Sequence, residues 1–157
     1  MITTEKPPIY TALVELTGLF LPGMIQRRRG GILNVGSVAG FLPGPNMAVY
    51  YASKAFVLSF SEALHEELRD TGISVTNLCP GPTETNFSKI ARSQRVRQTS
   101  ARKMSAASVA LIGYRDFRNG KCLSVPGIQN KILVGLGPRL LSRKTVRKTV
   151  KRYNKLK

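Results

Sequence analysis

The chain has 157 residues, 42% of them hydrophobic, which is enough for one domain with a buried core. Two distant cysteines, Cys79 and Cys122, and a single histidine, His65, argue against a disulfide framework or a zinc site; both thiols are expected to be reduced. The net charge of +17 belongs to the second half, since residues 1–85 hold 6 Lys/Arg and 7 Asp/Glu, whereas residues 86–157 hold 19 Lys/Arg and one acid, Asp116.

Residues 1–10 lack periodicity, and Pro7-Pro8 forbids a helix there. From Thr11 to Gln26, Ala12, Leu13, Leu16, Leu19, Phe20 and Met24 recur at helical spacing, with a kink expected at Pro22 and an end at Gly30-Gly31. This is the most apolar stretch, yet it falls short of the roughly 18–20 residues of a membrane span and carries Glu15. Arg27-Arg28-Arg29 follows it, the wrong order for a signal peptide. These arginines suit the carboxyl end of a helix better than a nucleic-acid patch.

Ile32 to Val35 is a short apolar run between glycines, a predicted buried strand, and 40–45 is a loop. Val49 to Arg69 predicts a helix with Ala52, Phe56, Phe60, Ala63, Leu64 and Leu68 on its buried face and His65 partly exposed. Gly72 is its left-handed cap. Ile73 to Cys79 is a β-branched run stopped by Pro80-Gly81, a second strand. Residues 82–104 are polar and basic, a loop or broken helix. Ser105 caps a helix through Phe117, stopped at Gly120, and Cys122 to Val125 is a third strand closed by Pro126-Gly127.

Alternating helices and apolar strands indicate an α/β fold, a parallel sheet between helices. Three segments result: an irregular 1–10, an α/β domain at 11–130, and a basic amphipathic tail at 131–157. Sheets of this kind place their sites at the carboxyl ends of the strands.

Three residues fall there. Ser37 follows the first strand, and Tyr50 and Lys54, four apart, share a face at the start of the long helix. A cation beside a phenol favours the phenolate, and a serine hydroxyl can bind a carbonyl or alcohol oxygen. Together they make a proton-transfer site for a ketone/alcohol pair. Tyr-x-x-x-Lys alone is weak evidence, since Tyr153 and Lys157 repeat the spacing in the tail. The position thirteen residues before Tyr153 is Leu140, whereas for Tyr50 it is Ser37.

The ordered segments ILNVGSVAG (Ile32 to Gly40), YYASKAF (Tyr50 to Phe56) and CPGPTET (Cys79 to Thr85) resemble the short-chain dehydrogenase/reductase family over roughly Thr11 to Pro126. The resemblance implies a truncated Rossmann-like, doubly wound sheet of about three strands. It implies an NAD(P)-dependent oxidoreductase acting on a small carbonyl/alcohol substrate. Ser37, Tyr50 and Lys54 match the catalytic serine, the acid/base tyrosine and the lysine that also binds the nicotinamide ribose. Tyr50, Lys54, Pro80, Gly81, Thr83 and Thr85 then line the cofactor, with Thr83 standing where many members carry valine or isoleucine.

The departures lie in what the family needs besides. No glycine-rich phosphate cradle occurs in residues 1–157, and Gly135-Leu136-Gly137 runs into Pro138. The Asn-Asn-Ala-Gly segment is missing, and Ile9 falls where the family's catalytic asparagine belongs. Weak binding of NAD or NADP and impaired turnover are expected of the isolated chain, with a missing amino-terminal half or a homo-oligomer as partner. The rival reading is a non-catalytic basic peripheral protein, or one half of a split enzyme.

In the tail, Val146, Val150 and Tyr153 form one stripe among Arg143, Lys144, Arg147, Lys148, Lys151 and Arg152. Such a helix suits an anionic membrane surface or a solvated end more than nucleic acid. The expected location is cytoplasmic with peripheral membrane contact.

Overall fold

The computed structural model describes residues 9–85 and 103–154. Its frame is a parallel sheet in the order β1-β2-β5, built from β1 (Gly30–Val35), β2 (Ile73–Leu78) and β5 (Leu123–Ser124). Ile32 pairs with Val75 and Asn34 with Asn77 along β1 and β2, and Leu78 pairs with Ser124. Parallel neighbours require crossovers, supplied here by α2 (Ala48–Glu67) and α3 (Ala106–Arg118). Helix α1 (Ile9–Gln26) precedes β1 and runs through Pro22. Among the described residues β1 has no strand on its outer side.

Side chains alternate across the sheet. Ile73 and Val75 meet Leu64 and Leu68 of α2, with Leu21, Met24, Ile32 and Phe60 packed around them. Further along the same face Cys79 meets Leu58 and Val125. On the opposite face Thr76 donates to the Lys121 carbonyl at 2.6 Å, and Leu78 lies under Gly113 of α3.

The helix ends follow local chemistry. Ser105 accepts from the Ser108 N–H at 3.2 Å as the cap of α3. Gly72 adopts φ +82° at the turn after α2, against the Arg28 carbonyl.

Three sequence expectations need correction. The buried stripe of α2 is Val57, Leu58, Ser61 and Leu64, continued by Leu68 at its C-cap, while Ala52, Phe56 and Ala63 face outward. Phe56 is 37% exposed and stacks on half-buried Phe60 at 5.8 Å. The cause is Ser61: its hydroxyl donates to the Val57 carbonyl and accepts from Asn34 Nδ2, so a polar residue sits in the core without penalty. On α1, Leu16, Leu19 and Phe20 are exposed, and Leu13, Thr17, Leu21 and Met24 turn toward the body. The stretch after Gly127, expected to be a basic amphipathic tail from residue 131, holds two helices, α4 (Ile128–Leu140) and the cationic α5 (Arg143–Tyr153).

Of the expected loop at 82–104, residues 86–102 lie outside the described residues. Its two ends pair in parallel, β3 (Thr83–Glu84) beside β4 (Met104–Ser105). No described helix is long and apolar enough to cross a membrane.

Candidate active site

The loops at the carboxyl ends of β1 and β2 are stitched together. Gly36 donates its N–H to the Leu78 carbonyl at 2.8 Å, and Val38 to the Pro80 carbonyl at 3.1 Å. Ser37 sits between them, 9% exposed and extended. Its Oγ accepts from the Ala39 N–H at 3.1 Å, capping the short 3-10 helix Val38–Phe41, and donates to the Pro80 carbonyl at 3.5 Å. Pro80-Gly81 therefore lies against the serine.

α2 is locked to this turn from the other side. A Cβ on Gly40 would stand 2.7 Å from the Lys54 carbonyl, so only glycine lets the two backbones approach this closely. Lys54 is half-buried, and its ammonium donates to the Val35 carbonyl at 2.9 Å. Burial pushes that ammonium below the ordinary lysine value.

Tyr50 lies in the first turn of α2, half-buried, with its ring edge-on to Tyr51 at 5.9 Å. Ser37, Lys54 and Pro80 thus converge at one strand edge, with Tyr50 one helical turn from Lys54. Cys79, just before Pro80, is a neutral thiol, pushed up to about 11 by burial.

The outer members of the predicted set behave differently. Thr83 donates its hydroxyl to the Gly81 carbonyl at 3.0 Å, a bond internal to its own turn. Thr85 is exposed. His65 is half-buried and structural: its Nδ1 meets the Val75 carbonyl at 2.8 Å, and since a carbonyl only accepts, Nδ1 carries the proton.

Several residues at the site carry no sequence signal. Asn130 of α4 donates to the Pro126 carbonyl at 2.6 Å, and its amide fills the space a side chain at position 81 would need. Ahead of α2, Asn46 donates to the main-chain carbonyl of Asn154 at 3.1 Å, and Asn154 Nδ2 donates to the Pro45 carbonyl at 3.1 Å. The Tyr51 hydroxyl donates to Asn154 Oδ1 at 3.4 Å, and burial raises that phenol above its ordinary value. A long-range contact of this kind leaves no periodicity to read.

Between the 40–45 loop and α5 lies an open groove of about 630 Å³, lined by Phe41, Leu42, Pro43, Leu141 and Val146, with Arg143 on it. Val146 and Val150 are turned into the body, so the tail's apolar stripe is largely covered and Arg143, Lys144, Arg147, Lys148, Lys151 and Arg152 form an outward cationic face.

The chain is 36% identical over 136 residues to very-long-chain 3-oxoacyl-CoA reductase of Rattus norvegicus, covering 86% of this chain and 42% of that protein. It is 44% identical over 90 residues to rat 17-beta-hydroxysteroid dehydrogenase type 3, 57% of this chain and 29% of that one. A short-chain dehydrogenase from Sphingobium yanoikuyae in complex with NADPH superposes with a TM-score of 0.67 at 28% identity, over 84% of this chain and 54% of that one. The chain therefore spans about half or less of the length of these relatives. Residues 9–96 match the short chain dehydrogenase family, and with the strand-end geometry above this settles the lineage: the chain belongs to the short chain dehydrogenase family.

Proposed function

We propose that this chain carries the proton-transfer half of an NAD(P)-linked oxidoreductase acting on the carbonyl/alcohol pair of a long-chain 3-oxoacyl thioester. The observation that carries the reading is the convergence of Ser37, Lys54 and Pro80 at one sheet edge, with Tyr50 opening the adjacent helix. In this reading Ser37 holds the substrate oxygen. Tyr50 delivers or removes its proton, with Lys54 one helical turn away. The apolar groove with Arg143 on it suits an acyl chain with an anionic head, in keeping with the substrate named for the rat reductase.

The residues present fit the nicotinamide-ribose end of a dinucleotide. Lys54 has ammonium donors beyond the one given to Val35, and Pro80-Gly81 supplies a wall. Thr85 is exposed at the far end of that loop, whereas Thr83 serves its own turn. When bound, the nicotinamide supplies or accepts the hydride. Residues 1–157 hold no glycine-rich cradle for the pyrophosphate, so weak binding of either NAD or NADP by these residues alone belongs to the proposal. The exposed apolar side of α1, Leu16, Leu19 and Phe20, supports work against a second copy or a complementary half.

The test joins the chain to the glycine-rich half of a relative, by fusion or in trans. NADPH affinity and reduction of a long-chain 3-oxoacyl-CoA are expected to appear. Tyr50→Phe is then expected to lower turnover at least about 100-fold with NADPH binding retained. Turnover indifferent to Tyr50→Phe sinks the assignment.

A second reading is favoured by α5, whose outward face carries six cations and no acid. It is a cytoplasmic protein held peripherally at anionic membranes by charge alone. Because Val146 and Val150 pack inward, charge reversal tests this better than truncation. Arg147→Glu with Lys151→Glu is expected to abolish co-sedimentation with phosphatidylserine vesicles, and unchanged sedimentation removes the reading.

A further inference from the structure

Helix α2 starts without help from its own sequence. Met47 stands at the N-cap and makes no side-chain capping bond, and the first turn holds no acid. A helix start without a side-chain cap frays unless other contacts hold it. Tyr50 lies in that turn.

Order is brought in from the far end of the chain. Asn154 is 1% exposed, with amide and main chain committed on both sides of Tyr50. Its Nδ2 donates to the Pro45 carbonyl at 3.1 Å, and its own carbonyl accepts from Asn46 at 3.1 Å. Asn46 holds a left-handed φ of +70°, a conformation that is costly for a residue with a side chain unless its surroundings fix it. On the other side, Asn154 Oδ1 accepts from the Tyr51 hydroxyl at 3.4 Å. Asn154 is itself placed by the carboxyl end of α5, donating its N–H to the Val150 carbonyl at 2.8 Å, with Val146 and Val150 buried beneath.

We propose that Asn154 is a positioning residue for Tyr50: through Pro45, Asn46 and the Tyr51 hydroxyl it holds both sides of the first turn of α2 from outside, and so fixes where the phenol stands. The proposal rests on the role given to Tyr50 above, and it gives α5 a task distinct from its charge.

The test uses the full chain and needs no turnover. Amide hydrogen exchange is followed in the wild type, Asn154→Ala and Tyr51→Phe, together with the ring signals of Tyr50 in ¹³C-tyrosine NMR, identified with Tyr50→Phe. Each variant is expected to speed exchange at residues 51–54, the first amides of α2 that donate to carbonyls one turn back, by about five- to tenfold, the scale of a lost hydrogen bond. The Tyr50 ring signals shift in both variants, while β2 keeps its protection. If Asn154 merely anchors α5, exchange rises only at 143–153 in Asn154→Ala and the Tyr50 signals stay in place, which overturns the proposal. If Asn154→Ala fails to fold, Tyr51→Phe decides alone, since it removes one hydroxyl and leaves the Pro45 and Asn46 bonds. A failure of the chemical role of Tyr50 would show separately, as turnover indifferent to Tyr50→Phe alongside an unchanged exchange result.

Discussion

The ammonium of Lys54 donates to the carbonyl of Val35 across 2.9 Å, tying the second turn of α2 to the last residue of β1. Burial lowers the Lys54 pKa, so near neutrality the folded chain holds that proton less readily than the unfolded one. Its contribution to stability therefore grows as pH rises from the lowered folded value to the unfolded one, about 10.4. Urea unfolding of the wild type and Lys54→Met at pH 7, 9 and 10 is expected to show the difference between them changing in the wild type's favour as pH rises. Parallel pH curves would rule the linkage out.

Asp116 is the only acid after residue 85 and is nearly buried. Burial by itself would raise its carboxyl. Hydrogen bonds from Lys121 and Ser124, both at 2.7 Å, with the Lys121 charge, hold it below the ordinary carboxylate range. Its stabilisation is present above the unfolded value of about 3.9 and is lost as pH falls through the lower folded value. Asp116→Ala is expected to cost about 2–3 kcal/mol at pH 7, because Ser124 is then buried without a partner. The deficit should shrink toward pH 2, and one that stays constant with pH contradicts the assignment.

Two glycines separate backbone conformation from crowding. Gly120 has φ +67° and open space around it, whereas Gly72 has φ +82° and would place a Cβ 2.4 Å from the Arg28 carbonyl. Gly120→Ala is expected to cost about 1 kcal/mol, and Gly72→Ala about 2–4 kcal/mol. Equal melting temperatures for the two variants would show that the turn at Gly72 yields.

Asn77 of β2 is fully buried, and among the described residues neither atom of its side-chain amide has a hydrogen-bond partner. An unpaired buried amide costs about 1–3 kcal/mol, more than the small void left by truncation. Asn77→Ala is expected to gain about 1 kcal/mol, raising the melting temperature by about 2–4 °C. A lower melting temperature would mean that the amide is satisfied in solution.

The strands were legible because their ends are marked by glycine, Pro-Gly and β-branched residues, and β2 carries the apolar run of a buried parallel strand. β1, expected to be buried, instead leaves Leu33 and Val35 exposed, with no described strand on its outer side. The placement of Ser37 after β1 and of Tyr50 and Lys54 on one helix was legible because their spacing is local to one helix and one strand end. The α2 face was misjudged because Ser61, a core residue, satisfies its hydroxyl internally, so the apolar pattern ran through exposed Phe56 instead. Helix α4 was hidden by Gly135, Gly137 and Pro138, which propensity counts against a helix. Asn130 and Asn154 act through tertiary contacts, and no local pattern announces those.

The bracket around Tyr50 also has a place in time. Asn154 is joined to Asn46 across 108 residues of chain. At the usual pace of synthesis, about 5–20 residues per second, the turn ahead of Tyr50 is made roughly 5–20 s before the residue that clamps it. β1, α2 and β2 can assemble during that interval, while the tyrosine's end of the helix stays loose. In a nascent chain the sheet therefore matures first, and the turn ahead of Tyr50 sets last.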